Sequence, residues 1–371
     1  MRTFKVGLVG AGFMGEIHAR GYSACSKLYN DLGAVLEIGV VADPNEQAAR
    51  ALSERWKVPS WTTDWQAVVG DSNISVVDIC TPPANHKEVA IAAIQSGLAV
   101  YCENPVGLNA RETEDLASAT EQAQVTTFVG FNYRWIPAIS LAREVIRQGT
   151  IGDIVHVQIS KDSDSAVDPS KSGWRFFAET AGHGSLGDVG SHVFDVSRSL
   201  AGDISSISGM TKTVINERPF NGGVRKVDTD DLWMALAEFE NGATGNFQGS
   251  RVLSGHKADF TIDVTGTRGA IHWDQRHMNE LAVFETRSDG MDGYRAIRIG
   301  PQHPDHGRFV PVRGHAIGFA DLKTIEIARF TNALANSEPS APNFSDALAV
   351  ARIIEAVPLR KWVSLEKVQM R

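Results

Sequence analysis

Lys5-Val6-Gly7-Leu8-Val9-Gly10-Ala11-Gly12-Phe13-Met14-Gly15 is the stretch on which the reading of this chain turns. An apolar run gives way to three glycines at Gly-x-Gly-x-x-Gly spacing. That pattern predicts a strand ending at Val9, a tight turn, and a helix starting near Met14. In a dinucleotide site each glycine has its own task. Gly10 makes the turn, Gly12 lets the backbone approach a pyrophosphate, and Gly15 lets helix and strand pack closely. The N–H groups around Phe13 and Met14 then meet the phosphate charge at the helix start. Any tight strand-to-helix turn favours glycine, so the reading needs support further along. Residues 34–42 form a second apolar run closed by Asp43, whose carboxylate is placed to accept both hydroxyls of a ribose. Asp43 lies beyond the usual spacing of about 20 residues, which predicts a long first helix. With Pro44 behind it, Asp43 also reads as a cap of the next helix, and the two roles are compatible. No arginine stands beside Asp43 to receive a 2′-phosphate, and its carboxylate would repel one. NAD is therefore preferred to NADP.

The bulk properties narrow the class. The chain has 371 residues, enough for two domains, with 43% hydrophobic and 22% charged residues. A net charge of −8 and the lack of a basic stripe argue against nucleic-acid binding. No apolar run has the length of a membrane span. The early first strand predicts no signal peptide. Cys25, Cys80 and Cys102 lack Cys-x-x-Cys spacing and read as buried reduced thiols of a cytoplasmic protein.

Beyond Asp43, Ala48, Leu52 and Trp56 step by four along one helix face, and Trp61 and Trp65 are expected in the core. Residues 74–80 form another buried strand, and the prolines of Thr81-Pro82-Pro83-Ala84-Asn85-His86 fix the loop after it. Ligands of doubly wound sheets lie outside the carboxyl ends of the strands, so Thr81, Pro82 and Asn85 are candidate cofactor contacts. The alternative is a loop that only starts the helix at His86. Residues 99–102 form a strand ending in Glu103-Asn104-Pro105. A helix over 109–124 and a strand over 126–130 complete the alternation, which predicts a parallel sheet covered on both faces.

Gly10, Gly12, Gly15, Asp43, Thr81-Pro82-Pro83 with His86, and Glu103-x-Pro105 together resemble the glucose–fructose oxidoreductase / inositol dehydrogenase (Gfo/Idh/MocA) family. The resemblance continues through Trp174-Arg175 and Gly187-Asp188-Val189-Gly190-Ser191-His192 and so spans essentially the whole chain. It implies an NAD-binding Rossmann domain over 1–131. A substrate-binding and oligomerisation α+β domain with a large, mostly antiparallel open sheet follows over 132–371. It also implies cofactor contacts from Glu103, Asn104, His86, Trp174 and Arg175, a cis peptide before Pro105, and a homodimer or homotetramer formed through the sheet. One position departs from the family. The family has Glu-Lys-Pro, with a lysine that supports catalysis, and this chain has Asn104. Asn104 is open to three readings: a positioning residue, the mark of a non-catalytic relative, or a deliberate lysine-to-asparagine change that traps substrate.

In the second half, residues 154–160 alternate apolar and polar, 204–215 are strand-like, and 232–239 run into Asn241-Gly242, a hairpin signal. Residues 258–264 and 270–273 flank another turn. The helices over 324–336 and 345–355 are expected to pack on this sheet. Asp188 and His192 are four apart, so on one helix they share a face. Oxidation of an alcohol needs a proton acceptor near the hydroxyl, and histidine suits that task near neutral pH. A helix cap with a buried histidine is the plainer alternative. The resemblance favours His192 as base, with Asp188 orienting it and a vicinal hydroxyl. Tyr133, Arg134, Trp174 and His315 are candidate substrate neighbours. His303, His306 and His315 do not have metal-motif spacing, and no metal is expected. These readings converge on NAD-dependent oxidation of a cyclic polyol or pyranose, such as scyllo- or myo-inositol or glucose, L-glucose included. Levoglucosan or another glycoside is the alternative. The rivals are a sugar or NAD sensor without turnover and an NAD-dependent glycosidase.

Overall fold

The structure, a computed structural model, describes residues 2–365 except 288 and 290. The chain divides into two units, Met1–Asn132 with Gly318–Leu348, and Tyr133–Ile317 with Ala349–Arg371.

In the first unit, β1 (Arg2–Val9) leads into α1 (Phe13–Leu28), then β2 (Ala34–Ala42) and α2 (Glu46–Trp56). They are followed by β3 (Ser60–Thr62), α3 (Trp65–Val69), β4 (Val76–Ile79), α4 (His86–Gln95), β5 (Ala99–Cys102), α5 (Ala110–Ala123) and β6 (Thr127–Val129). All pairings are parallel, in the order β3-β2-β1-β4-β5-β6. Strand order reverses between β1 and β4, and ligands of such sheets bind beyond the strand ends at that point. The loops after β1 and β4 touch there. Gly10 has a φ of +106°, and a Cβ on it would lie 2.7 Å from the carbonyl carbon of Cys80. The predicted strand–turn–helix is thus present.

Three expectations change. Asn45, not Asp43, caps α2, because its side-chain oxygen accepts the Ala48 N–H at 3.2 Å. Trp61 lies on the short outer strand β3 and is 38% exposed, outside the core. The helix Phe319–Asn336 does not join the antiparallel sheet but packs on α1 and β2 in the first unit. A Cβ on Gly21 of α1 would lie 2.7 Å from Ile327 Cδ1, so close approach of the two helices requires that glycine. The first unit runs to Asn132, and Gly318–Leu348 belongs with it.

In the second unit, α6 (Pro137–Arg147) precedes β7 (Ile154–Asp162). The short helices α7 (Ala178–Ala181) and α8 (Ser185–Asp188) come next, then α9 (Gly190–Ala201). The strands that follow are β8 (Ile204–Lys212), β9 (Glu217–Phe220), β10 (Gly223–Lys226), β11 (Leu232–Phe239), β12 (Thr244–Ser250), β13 (Asp259–Gly266), β14 (Gly269–Asp274), β15 (Glu280–Glu285) and β16 (Arg295–Arg298). The large sheet runs β16-β15-β14-β13-β7-β12-β11-β8 and ends on Val363–Ser364. It is antiparallel except for the β7–β12 pair. Strand β11 shows why one face is core. Trp233, Ala235, Ala237 and Phe239 are buried while Met234, Glu238 and Leu236 face outward, the period-two alternation of a half-covered sheet. Helix α9 packs against β7 and β12. Among the described residues no helix is long and apolar enough to cross a membrane.

Candidate active site

The cofactor elements of the first unit follow from backbone geometry. A Cβ on Gly15 would meet the Gly10 carbonyl oxygen at 2.0 Å, so this glycine permits the helix–strand contact. Nothing lies within 4 Å of a Cβ on Gly12, so the space in front of it is open to a ligand. No side chain caps the start of α1, leaving its first N–H groups for an anion. Phe13 beside them is 72% exposed, an unusual position for a large apolar ring, and Met14 is half-buried. Asp43 accepts the Ala11 N–H on one carboxylate oxygen and the Asn45 N–H on the other, both at 2.8 Å. Each oxygen keeps lone pairs for a ribose hydroxyl. In the loop after β4 the Thr81 hydroxyl is buried without a partner among the described residues, Pro82 is half-buried and Asn85 is exposed. Glycine turn, open Gly12, uncapped helix and acid fit a dinucleotide.

Two predicted cofactor residues make bonds within the protein. The ring nitrogens of His86 lie 2.9 Å from the Pro105 carbonyl oxygen and 2.7 Å from that of Thr81. Burial lowers its pKa against the upward pull of the two carbonyls, and the ring ties two loops together. Glu103 is drawn into a buried charge network. His18 stands 2.7 Å from both Asp78 and Glu103, and the Lys323 ammonium donates to Glu103 at 2.6 Å and pairs with Glu326. Tyr101 donates to Glu326. Burial works against charge on Glu103, but Lys323 and His18 overcome it and hold the carboxyl far below its usual range. Burial opposes charge on His18 and Lys323 too, yet their carboxylate neighbours raise both. For Glu326 burial wins and raises its pKa. The network anchors the end of β5, and beside it the Asn104 amide donates to the Gly130 carbonyl at 2.9 Å. The Asn104–Pro105 peptide is cis, as expected.

The second unit gathers a different set. The Asp188 to His192 stretch is not one helix, because α8 ends at Asp188 and α9 begins at Gly190. Asp188 pairs with Arg175 at 3.3 Å, both about half exposed, and the Arg175 guanidinium stacks 4.2 Å over Trp174. His192 meets Tyr133 edge to face, ring centres 4.8 Å apart. Burial and the Asp188 carboxylate raise the Tyr133 phenol well above its usual value. Tyr133, Trp174, Arg175, Asp188 and His192 thus form one cluster. Arg134 does not join it, because its guanidinium is locked onto the buried Asp195 carboxylate. The exposed His315 offers its carbonyl to the buried His306 ring at 2.9 Å.

Sequence reasoning missed Lys161. It extends over the Tyr133 ring, its ammonium 3.6 Å from the ring centre and 4.5 Å from that of Phe260. A signal was present. Val157 and Ile159 set the core parity of β7, and position 161 continues that parity with a lysine. Asp78, inside the apolar Val76–Ile79, carried the same kind of signal for the network.

Comparison with known proteins agrees with both halves. Residues 4–131 match the model of an oxidoreductase family with an NAD-binding Rossmann fold, and residues 139–272 match the GFO/IDH/MocA C-terminal domain. The chain is 33% identical to levoglucosan dehydrogenase of Pseudarthrobacter phenanthrenivorans, over 99% of this chain and 100% of that protein. It is 27% identical to myo-inositol 2-dehydrogenase of Thermotoga maritima, over 79% of this chain and 81% of that protein. The solved structure of levoglucosan dehydrogenase with NADH and levoglucosan has a TM-score of 0.95 at 33% identity, covering 99% of this chain and 100% of that one. With a family model on each half and a relative matched from end to end, the chain is a member of the Gfo/Idh/MocA family of NAD-binding oxidoreductases.

Proposed function

We propose that this protein oxidises a secondary or anomeric hydroxyl of a cyclic sugar or polyol with NAD, and that a levoglucosan-type pyranoside is the first substrate to test. The observation that carries the reading is the Tyr133–His192–Asp188–Arg175 cluster in a chain matched along its length by levoglucosan dehydrogenase. Inositols and glucose remain in the panel because myo-inositol and scyllo-inositol dehydrogenases are relatives at 27% and 26% identity.

In this reading Gly10, Gly12, Phe13, Met14 and Gly15 receive the pyrophosphate, and Asp43 accepts the ribose hydroxyls. NAD held there would supply the acceptor for the hydride of the carbinol carbon. His192 accepts the hydroxyl proton, leaving a carbonyl. Asp188, held by Arg175, accepts a hydrogen bond from a neighbouring hydroxyl. Tyr133 limits how the His192 ring can turn.

The test is NADH formation with NAD and a panel of levoglucosan, inositols and both glucose enantiomers. Turnover of one member, falling about 10²–10⁴-fold in His192→Gln, is the expected result. Gly12→Val is expected to abolish NAD binding by calorimetry while the fold stays intact, because a side chain there meets no protein atom within 4 Å. Tight NAD binding by that variant would remove the cofactor assignment.

Asn104 favours a second reading, a sugar or NAD sensor, because its amide can carry neither charge nor a transferable proton. Asn104→Lys decides between the two. Turnover appearing only in the lysine form marks a disabled dehydrogenase. Silence in both forms with sugar or NAD binding retained marks the sensor.

The same reading includes a homo-oligomer formed through the uncovered face of the large sheet, where Met210, Met234 and Leu236 are 40%, 49% and 57% exposed. Leu236→Glu is expected to lower the mass measured by light scattering. An unchanged mass would locate the subunit contact elsewhere.

A further inference from the structure

Lys161 stands where its strand calls for an apolar residue. Across the helix-covered face of the large sheet it lies in the row Phe260–Lys161–Gly249–Trp233. Its residue is 8% exposed, and its ammonium nitrogen has no hydrogen-bond partner among the described residues. Two ring faces, Tyr133 and Phe260, replace the water an ammonium ordinarily holds, and they replace it only in part. Burial pulls its pKa down to about 7, against the upward pull of the Asp188 carboxylate.

The groups that face it can be named element by element. Asp188 comes from the end of α8, His192 from α9 edge to face with Tyr133, and Arg175 is paired to Asp188. Asp195 of α9 is already locked to Arg134, and Arg198 pairs with Asp203. Asp162 and His156 of β7 have the opposite parity. Asp259 and Asp263 of β13 pair with Asp162 and Gln158, so they share that other face, where His256 joins Asp259. Arg251, just beyond β12, is bound to Asp231.

We propose that Lys161 is a positioning residue of the proton-accepting cluster: its buried amine sets the charge balance around Asp188 and Tyr133 and thereby keeps the His192 imidazole in its neutral, proton-accepting form. The proposal rests on the dehydrogenase reading and deepens it. Asn104 carries no charge, and the titrating amine of this chain comes instead from β7. An ammonium held beside an imidazole makes imidazolium costlier. With an effective dielectric between water and protein interior, a like charge across one ring is worth about one pH unit. The two groups titrate as a coupled pair, so the acid limb of the pH profile belongs to both.

The experiment follows the His192 ring by NMR in the full-length protein labelled at histidine ring carbons, with its signal assigned by its loss in His192→Gln. In Lys161→Met, His192 is expected to titrate about one unit higher, and the acid limb of kcat/KM to move up with it. In Lys161→Arg, which keeps its charge at every accessible pH, His192 stays at or below its value in the unaltered protein. An unchanged His192 titration in Lys161→Met overturns the proposal. The unaltered protein labelled at lysine Cε supplies a check that needs no variant to fold. A lysine titrating near 7, lost in Lys161→Met or identified by its coupling to the Tyr133 ring, is expected. Only ordinary lysines titrating near ~10.4 would overturn it. A shifted His192 in a protein that oxidises no sugar fells the dehydrogenase reading alone. Turnover with an unshifted His192 fells this inference alone.

Discussion

The two units bury charge in opposite ways. In the first, His18, Asp78, Glu103, Lys323 and Glu326 form a chain in which each charged group meets an oppositely charged or hydrogen-bonding partner. In the second, the Lys161 ammonium rests on two aromatic faces with no acceptor among the described residues. In this network the carboxylates raise His18 and Lys323, and those cations lower Glu103, so the charged forms of these three hold one another in place. A desolvated amine without an acceptor is brought to the point of titrating. The first arrangement holds a loop in place, and the second is the kind that accompanies chemistry.

The difference can be broken at its strongest point first. Lys323→Met would leave Glu326 buried without its cation and Glu103 with His18 alone, and a loss of about 3–5 kcal/mol is expected in urea unfolding. A loss near zero would mean that the network is not a structural anchor. Lys161→Met should act in the other direction. Removing an unpaired buried amine is expected to stabilise the protein by about 1–3 kcal/mol near pH 6. The folded pKa of Lys161 lies below its unfolded value. Between about 7 and about 10 the unfolded chain therefore holds the proton and the folded chain does not. Stability from this group rises with pH across that window, and the gain from Lys161→Met should fade there. His18 has the opposite slope. Its raised folded pKa gives stability that is full below the unfolded value of about 6.5 and is lost as pH rises through the folded value. Thermal melts of Lys161→Met and His18→Asn against pH should cross the unaltered protein with opposite trends. Parallel curves would erase the distinction. The smallest effect belongs to Arg175→Gln. Its half-exposed pair with Asp188 is worth under about 1 kcal/mol, and a larger drop in melting stability would make Arg175 a structural residue.

What the sequence disclosed was mostly local. Gly10, Gly12, Gly15 and Asp43 were legible because a turn, a close approach and a strand end are set within a few residues. The hairpin at Asn241-Gly242 was legible for the same reason. For His86, Glu103 and Arg134 loop position alone did not disclose the inward bonds to the Thr81 and Pro105 carbonyls, to Lys323 and to Asp195. Glu103 finds its lysine 220 residues away, a pairing that no local pattern encodes. Lys161 was legible in principle, as a charge on the apolar parity of β7, but its partners Tyr133 and Asp188 come from other parts of the chain.

The return of 318–348 to the first unit bears on the order of synthesis. Strands β1 to β6 leave the ribosome long before Lys323 exists, so Glu103, Asp78 and His18 emerge without the cation that completes their network. Domains generally fold as they emerge, from the N-terminus onward. This Rossmann unit instead has to wait through residues 133–317 for its last helix. A fragment ending near residue 132 would carry the full Gly-x-Gly-x-x-Gly turn yet lack the partner of Glu103, and the nascent chain is at its most exposed during that interval.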